Sequence, residues 1–222
     1  VPQGMPEAVF FDLDGTLADT APDLADALNR LKSENGLEPS PLSRLRPQVS
    51  NGVRGMLGVG FGITPDAPPY PELAQRFLHL YAARLCIETR LFSGMDGVLA
   101  RLEEEGIPWG VVTNKAERFA YPLIDALGLS TRCACVIGGD TAARPKPFAD
   151  PLLHACITIG KNPRDCVYIG DDIRDIHAGK AAGMRTVAAA YGYLGTSPPI
   201  TTWEADAVIE RPLDLLSFLD IH

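Results

Sequence analysis

Residues 9–20 read Val-Phe-Phe-Asp-Leu-Asp-Gly-Thr-Leu-Ala-Asp-Thr. The apolar run 8–11 predicts a buried strand, and Gly15 marks where the chain leaves it. Asp12 and Asp14 are two residues apart, so on an extended strand their side chains would leave the same face. Converging carboxylates repel each other unless a cation lies between them, and oxygen ligands suit a hard ion such as Mg²⁺. A strand followed by an acidic turn would be the simpler explanation of a lone Asp-x-Asp. Asp-x-Asp-Gly-Thr behind an apolar strand is a far more specific pattern and favours a functional site.

The composition is that of a globular protein. Its 222 residues can hold one α/β domain with an insertion, and 46% hydrophobic and 22% charged residues indicate neither disorder nor a fibrous class. The net charge of -8 argues against nucleic acid as a partner, because a phosphate backbone is held by clustered Lys and Arg. No apolar run approaches the length of a membrane span, so we expect no membrane partner.

The cysteines predict a reducing compartment. Five of them, an odd number, occur in a chain with no signal peptide, so we expect free thiols in a cytoplasmic protein. Separately, we expect a monomer or a homodimer. Cys133 and Cys135 are predicted to share one face of a strand as small core residues. The segment 1–4 precedes Met5, which would serve as an initiator, and is interpreted as a cloning remnant outside the fold.

A helical insertion is predicted after the first strand. The segment 22–86 holds three patterns with apolar residues at helical spacing and none that alternates like a strand. The next convincing strand begins only at Pro108. This leaves far more chain after the first strand than a βαβ unit needs, since such a unit takes about thirty residues or slightly more. We therefore expect residues 17–91 to form an α-helical cap above the carboxylates, and residues 5–16 and 92–222 to form the catalytic core.

The rest of the chain alternates apolar strands with helices. This alternation predicts an α/β fold built on a parallel, doubly wound sheet with helices on both faces. In such sheets ligands bind outside the carboxyl ends of the strands. The strands predicted after the insertion are Trp109–Thr113, Cys133–Ile137, Cys166–Ile169, Arg185–Ala189 and Ala207–Ile209.

Four motifs fall at the carboxyl ends of predicted strands, so a parallel sheet would bring them to one edge. They are Asp12 with Asp14, Thr113-Asn114-Lys115, Lys146-Pro147, and Gly170-Asp171-Asp172 with Asp175 one helical turn later. Each later motif alone has a plain structural explanation as a strand end, a solvated loop lysine or an acidic helix cap. In order and kind, the set resembles the four motifs of the haloacid dehalogenase-like phosphatases, from Val9 to about Leu219. The resemblance implies a Rossmann-like core with an inserted cap, although Ala149 stands where relatives often carry a proline.

The resemblance also implies catalytic roles. Asp12 would be the nucleophile that forms an aspartyl phosphate, and Asp14 would be the general acid and base. The Thr113 hydroxyl, the Asn114 backbone amide and the Lys146 ammonium would bind the transferring phosphoryl group.

The same resemblance implies a metal site. Mg²⁺ would be held by Asp12, the main-chain carbonyl of Asp14 and Asp171. Asp172 would either reach the metal or accept a hydrogen bond beside it. Asp175 would orient the metal ligands or the catalytic lysine.

The cap is expected to select the substrate. Asp14 argues against the dehalogenase branch and favours a phosphatase acting on a small phosphorylated metabolite. The loop 50–54 resembles the specificity loop of the phosphoglycolate phosphatase group, which makes Asn51, Gly52 and Arg54 candidate specificity residues. Arg46 and Arg54 would either pair with a substrate carboxylate or lie on a solvated helix face.

Several alternatives stay open at this point. The runs 112–119, 170–176 and 191–193 resemble N-acetylmuramate 6-phosphate phosphatases, so a sugar phosphate is the second substrate candidate. A phosphomutase would use the same core, and a non-catalytic binding module would lack a reason to carry the whole set of motifs. Lys115 and Arg118 are interpreted as surface residues or as the rim of the substrate site, with equal weight.

Overall fold

The structure, a computed structural model, describes residues 4–195 and 197–221, so residues 1–3 of the expected cloning remnant lie outside the described residues. Its strands, in chain order, are β1 (Ala8–Phe11), β2 (Ala18–Asp19), β3 (Arg90–Leu91), β4 (Trp109–Val112), β5 (Val136–Ile137), β6 (Cys166–Gly170), β7 (Arg185–Ala189) and β8 (Ala207–Ile209). Its α-helices are α1 (Ala21–Glu34), α2 (Leu42–Leu45), α3 (Gly52–Phe61), α4 (Tyr70–Ala83), α5 (Met95–Glu104), α6 (Glu117–Ala126), α7 (Asp150–Ile159), α8 (Ile173–Ala182) and α9 (Asp214–Phe218). Over these described ranges, no helix combines the length and the apolar character needed to cross a bilayer.

The main sheet is parallel throughout. Within the described ranges it has six strands in the order β5-β4-β1-β6-β7-β8. The order reverses direction at β1, where one half of the chain is wound to each side. The predicted α/β class and doubly wound sheet are confirmed.

Successive residues of β1 face opposite layers of the core. Val9 and Phe11 pack in an apolar cluster with side chains of α5 and α6, whereas Ala8 and Phe10 pack with side chains of α7 and α8. Because both faces of this central strand are buried, its sequence is apolar at every position. In the register of the sheet, Phe11 lies beside residues 111 and 169 on its two neighbours, which brings the carboxyl ends of β1, β4 and β6 together.

One predicted strand is shorter than expected. The stretch predicted as Cys133–Ile137 forms a strand only at Val136–Ile137, although its hydrogen bonds to β4 begin at the Ala134 amide. Cys133 packs against the cluster on one face of the sheet and Cys135 belongs to the cluster on the other face. The prediction that the two cysteines share a strand face was therefore wrong, because both precede the strand, which begins at Val136, and they pack on opposite sides of the sheet.

The inserted helices lie between two short paired strands, through which the chain leaves the core and returns to it. β2 and β3 are antiparallel, with Ala18 opposite Leu91 and Asp19 opposite Arg90. Between them α1 to α4 enclose a separate apolar cluster, which Phe119 and Tyr193 of the core also enter. We propose residues 17–91 as the limits of the cap.

Candidate active site

Asp12 follows β1 and faces a buried lysine. Its Oδ1 accepts a hydrogen bond from the Leu13 amide at 2.7 Å and lies 2.9 Å from Lys146 Nζ. Burial raises the pKa of Asp12 to about 7; Lys146 opposes this shift, and Asp175 adds to it. Asp12 Oδ2 accepts no hydrogen bond from the part of the chain that the structure describes, so this oxygen is free to face a ligand.

Lys146 is held by a ring of oxygen atoms. Its Nζ donates to Asp175 Oδ1 at 2.7 Å, to the Tyr168 hydroxyl at 2.8 Å and to the Val112 carbonyl at 3.2 Å. The side chain is 2% exposed. Burial lowers the pKa of this ammonium, but the Asp12 and Asp175 carboxylates outweigh it and raise the pKa above the usual value. Lys146 is therefore a fixed positive charge beside Asp12.

Asp14 is oriented by a different cation. Its Oδ1 accepts a hydrogen bond from the Thr20 hydroxyl at 2.6 Å and lies 3.0 Å from Lys115 Nζ. Lys115 Nζ also lies 4.7 Å from the ring centroid of Tyr81 on cap helix α4. Burial lowers the pKa of Lys115, but the neighbouring Asp14 carboxylate, with Tyr81, raises it by more. Lys115 was expected either at the surface or at the rim of the substrate site. The structure places it inside the site, beside Asp14.

The buried carboxylates form a candidate metal site. Oxygen atoms of Asp12, Asp171 and Asp175 lie within 4.8 Å of one another. Asp171 is fully buried at the end of β6, and burial, with Asp12 and Asp175 beside it, raises its pKa well above the usual value. Lys146 supplies one positive charge to these three carboxylates, so the ionised cluster keeps an excess of two negative charges. A divalent ion that prefers oxygen ligands fits this donor set.

Asp171 is positioned by neutral donors. Its Oδ1 accepts a hydrogen bond from the Thr16 hydroxyl at 3.1 Å, and its Oδ2 accepts one from the Tyr193 amide at 2.7 Å. Two glycines make room for it. A Cβ on Gly192 would lie 2.2 Å from Asp171 Cβ and 2.4 Å from the Gly15 carbonyl oxygen, both far inside normal contact.

Gly192→Ala is expected to lower the free energy of unfolding by about 1–3 kcal/mol, because the methyl group displaces Asp171 or the turn at Gly15. Urea unfolding measured with and without Mg²⁺ checks this, and we expect the Mg²⁺-dependent stabilisation to shrink as well. Gly97→Ala in α5 is the matched control: its Cβ would lie 3.7 Å from the nearest side-chain atom, an ordinary contact, so it should be neutral or stabilising by up to about 1 kcal/mol. Unchanged unfolding of Gly192→Ala would contradict the close packing.

Asp172 and Asp175 share the start of α8. Asp172 accepts from the Arg174 amide as the N-cap, and the Asp175 carboxylate accepts in return from the Asp172 amide at 3.1 Å. The Arg174 guanidinium also binds Asp172 with two hydrogen bonds of 2.8 and 2.9 Å. Burial raises the pKa of Asp172, but these bonds outweigh it and lower the pKa below the usual value. The Asp172 carboxylate is thus engaged with Arg174, while Asp175 holds Lys146.

Thr113 and Asn114 follow β4 on the other side of β1. Thr113 is 2% exposed, and its hydroxyl oxygen accepts from the Lys115 amide at 3.1 Å. The Asn114 side chain clamps the backbone of Lys146, since its amide nitrogen donates to the Lys146 carbonyl and its oxygen accepts from the Lys146 amide, both at 3.0 Å. This clamp was not anticipated, whereas binding of phosphate by the Asn114 backbone amide stays a prediction.

A cavity of about 370 Å³ joins these residues to the cap. Its lining includes both aspartates of the first motif, Thr113, Asn114 and Lys146, together with apolar cap side chains. Asn51 and Gly52 also line it, whereas Arg54 lines a neighbouring depression with Gln48 and Arg174. Three of the expected residues, Arg46, Arg54 and Asp171, do not line the cavity, and Arg54 lies beside it.

Arg46, expected either to bind a substrate carboxylate or to lie on a solvated helix face, is paired with an acidic residue of the protein itself. Its guanidinium binds the Asp19 carboxylate with two hydrogen bonds of 3.0 and 2.9 Å and lies 5.6 Å from the ring centroid of Tyr193. The Tyr193 hydroxyl in turn donates to Asp19 and accepts from the Thr20 and Ala21 amides. Arg46 thus stabilises the junction between core and cap, and both of its terminal guanidinium nitrogens already bind Asp19.

Four further residues of the site were not predicted from the sequence, namely Thr20, Tyr81, Arg174 and Tyr193. Lys115 carried a signal, since it directly follows Thr113-Asn114 at the end of a strand. Arg174 carried a weaker one, two residues after Asp172. Tyr193 belongs to the run 191–193 noted above, but its contacts could not be predicted, and Tyr81 carried no signal. The contacts of both depend on how the cap lies on the core.

Comparison with known proteins places these features in context. Residues 9–189 match the model of a family described as haloacid dehalogenase-like hydrolase. A phosphoglycolate phosphatase of Xanthomonas campestris pv. campestris (strain 8004) is 48% identical over 211 residues, which cover 95% of each chain. An N-acetylmuramic acid 6-phosphate phosphatase of Pseudomonas aeruginosa is 40% identical over 96% of this chain and 95% of that one. The crystal structure of a predicted phosphoglycolate phosphatase from Haemophilus somnus 129PT is 26% identical, with a TM-score of 0.84 over 96% of this chain and 97% of that chain.

Proposed function

This chain belongs to the haloacid dehalogenase-like hydrolase family, and we propose that it is a Mg²⁺-dependent phosphatase for a small phosphomonoester that carries a carboxylate. Two candidate substrates follow from the named relatives: phosphoglycolate first, and N-acetylmuramate 6-phosphate second. The observation that carries the proposal is the pairing of Asp12 with Lys146 and of Asp14 with Lys115 on the wall of one cavity.

Asp12 has the geometry of a nucleophile. Lys146 and the Leu13 amide both hold Oδ1, which leaves Oδ2 to attack phosphorus and form an aspartyl phosphate. Because the Leu13 amide and Lys146, itself held by Asp175, fix the carboxylate before the reaction, the attacking oxygen loses little freedom on reaching the transition state. The negative charge of the transferring phosphoryl group would be stabilised by the Lys146 ammonium, the Thr113 hydroxyl and the Asn114 amide.

Asp14 has the partners of a general acid and base. Its proton would pass to the alkoxide that leaves phosphorus, and its carboxylate would then take a proton from the water that hydrolyses the aspartyl phosphate. Thr20 and Lys115 hold the carboxylate in one orientation through both steps. The second step releases phosphate and restores Asp12.

The metal site is proposed at Asp12, Asp171 and the main-chain carbonyl of Asp14. A bound Mg²⁺ would neutralise charge on the phosphoryl oxygens and orient them for in-line attack. Asp175 belongs to the same cluster of oxygens, but its Oδ1 already accepts from Lys146 and Tyr168, so we assign it to positioning Lys146.

A phosphate-release panel with Mg²⁺ tests the function. We expect at least one of phosphoglycolate and N-acetylmuramate 6-phosphate to exceed common hexose phosphates in kcat/KM by more than about tenfold, which is about 1.4 kcal/mol of transition-state binding. Release of free phosphate without a sugar bisphosphate would also exclude a phosphomutase. Absence of phosphate release from every compound would overturn the proposal.

Location and partners follow from the same features. The described cysteines are all free thiols, which fits the proposed cytoplasmic location. We propose a small phosphorylated metabolite as the partner, and a monomer or homodimer as the assembly. Sedimentation at micromolar concentration distinguishes the two assemblies.

A further inference from the structure

The positive charges on the cavity wall are nearly all neutralised. Among the described residues that line the cavity, the cations are Lys115, Arg118, Lys146 and Arg174. Three of them are paired as already described, Lys115 with Asp14, Lys146 with Asp12 and Arg174 with Asp172. For Arg118, the described part of the chain offers no carboxylate within ion-pair distance. A second anion on the substrate would therefore find one cation here that is not already engaged.

Arg118 stands at the far end of a continuous wall. Its guanidinium lies 4.8 Å from the ring centroid of Phe119, which in turn lies 5.8 Å from that of Tyr81. Tyr81 contacts Lys115, the partner of Asp14. The wall thus leads from the first-motif carboxylate over two aromatic rings to a free guanidinium.

The wall joins the two halves of the molecule. Phe119 and Arg118 lie on core helix α6, whereas Tyr81 lies on cap helix α4. Arg118 and Phe119 also line a shallow depression on the outer side of this junction, so Arg118 is placed at the mouth of the cavity. Its guanidinium is oriented by the Phe119 ring without losing its outward hydrogen-bond donors.

We propose that Arg118 binds the carboxylate of a phosphomonoester whose body lies along Tyr81 and Phe119. A guanidinium presents parallel donors that match a carboxylate, and here they are not shared with a protein acid. The cavity of about 370 Å³ would hold about a dozen waters and is within the range that encloses a drug-sized ligand, so it has room for a sugar-sized body. The inference rests on the proposed function and narrows its substrate to an acid larger than a two-carbon one.

A matched pair of substrates tests this assignment. N-acetylmuramate 6-phosphate and N-acetylglucosamine 6-phosphate differ by the ether-linked group that carries the carboxylate. We expect the protein to prefer the acid in kcat/KM by about tenfold to a hundredfold, as a charge-assisted hydrogen-bonded pair allows. In Arg118→Met this preference should fall to less than about threefold, mainly through KM, and Arg118→Lys should keep part of it.

Controls separate this inference from the proposed function. Arg44→Met removes the same charge from an exposed cap position off the cavity wall and should keep the preference. Hydrolysis of p-nitrophenyl phosphate, which has no carboxylate, should be unchanged in Arg44→Met, and thermal melts of all the variants show that they are folded. If the unaltered protein hydrolyses no phosphomonoester, the proposed function fails; if it does so but shows no preference within the pair, or Arg118→Met retains that preference, the role of Arg118 fails. Loss of the preference in Arg54→Met and not in Arg118→Met would assign the carboxylate to the cap instead.

Discussion

Asp12→Asn is expected to lower kcat by at least about 10⁴-fold, because an amide cannot form the acyl phosphate that divides hydrolysis into two steps. Size and shape are conserved, and Oδ1 can still accept from the Leu13 amide and Lys146. The loss should therefore fall on the chemical step. Phosphate release in the presence of Mg²⁺, measured at saturating substrate, checks the magnitude.

A second readout identifies the covalent step. When a single turnover is quenched with acid, the unaltered protein should carry phosphate bound to Asp12, and Asp12→Asn should carry none. Asp125→Asn makes the same chemical change at an exposed position of α6 and should leave both readouts unchanged. Full turnover by Asp12→Asn would show that another group attacks phosphorus.

The stability of Asp12→Asn provides an internal check. The pKa of Asp12 is raised to about 7, chiefly by burial, so its ionised form is disfavoured by folding at neutral and higher pH in the metal-free protein. A neutral amide avoids this cost, while Lys146 keeps Asp175 as a partner. We therefore expect a melting temperature no lower than that of the unaltered protein at pH 8 without metal.

The convergence of the motifs could be predicted because it depends on local pattern and on sheet topology. β1 is buried on both faces, so its residues are uniformly apolar and the strand is recognisable without its neighbours. Once the sheet is parallel, Asp12, Thr113 and Asp171 must meet at its carboxyl edge. The separate partners of Lys146 and Lys115 could not be predicted, because each depends on side chains far away in sequence.

The contacts of the cap were the least predictable. Arg46 could not be assigned from sequence, because its partner Asp19 lies 27 residues earlier and meets it only when α1 and the turn before α3 are packed. Arg54 was expected in a specificity loop, but it lies within helix α3 and lines the depression beside the cavity. Arg118 lines the cavity because only residues 113–116 separate β4 from α6, so its position is set by the core and not by the cap.

Removal of Mg²⁺ is expected to abolish activity and to lower stability together. The three clustered carboxylates share one ammonium, so a divalent ion relieves their mutual repulsion only in the folded protein. At a Mg²⁺ concentration of about 100 times Kd the stabilisation would be about 2.7 kcal/mol, which corresponds to roughly 5–10 °C in melting temperature for a chain of this size. Thermal melts with chelator and with added Mg²⁺ measure it, and phosphate release follows the same titration.

Asp171→Asn should remove most of this response, because Asp171 is fully buried in the cluster and its two oxygens are oriented by Thr16 and the Tyr193 amide. Asp125→Asn should keep it. A melting temperature that rises equally with Mg²⁺ in Asp171→Asn would place the ion elsewhere. Retained turnover in chelator would show that the carboxylates act without a metal.

The dependence of this response on pH follows from the sign of the pKa shifts. The pKa of Asp12 is raised to about 7 and that of Asp171 well above its usual value, mainly by burial, so the metal-free folded protein holds protons that the unfolded chain has released. The contribution of these groups to stability therefore falls as pH rises from about 4 through 7. Since Mg²⁺ binds the deprotonated carboxylates, the rise in melting temperature should be larger at pH 8 than at pH 5. An equal rise at both values would mean that the ion does not compete with protons at this cluster.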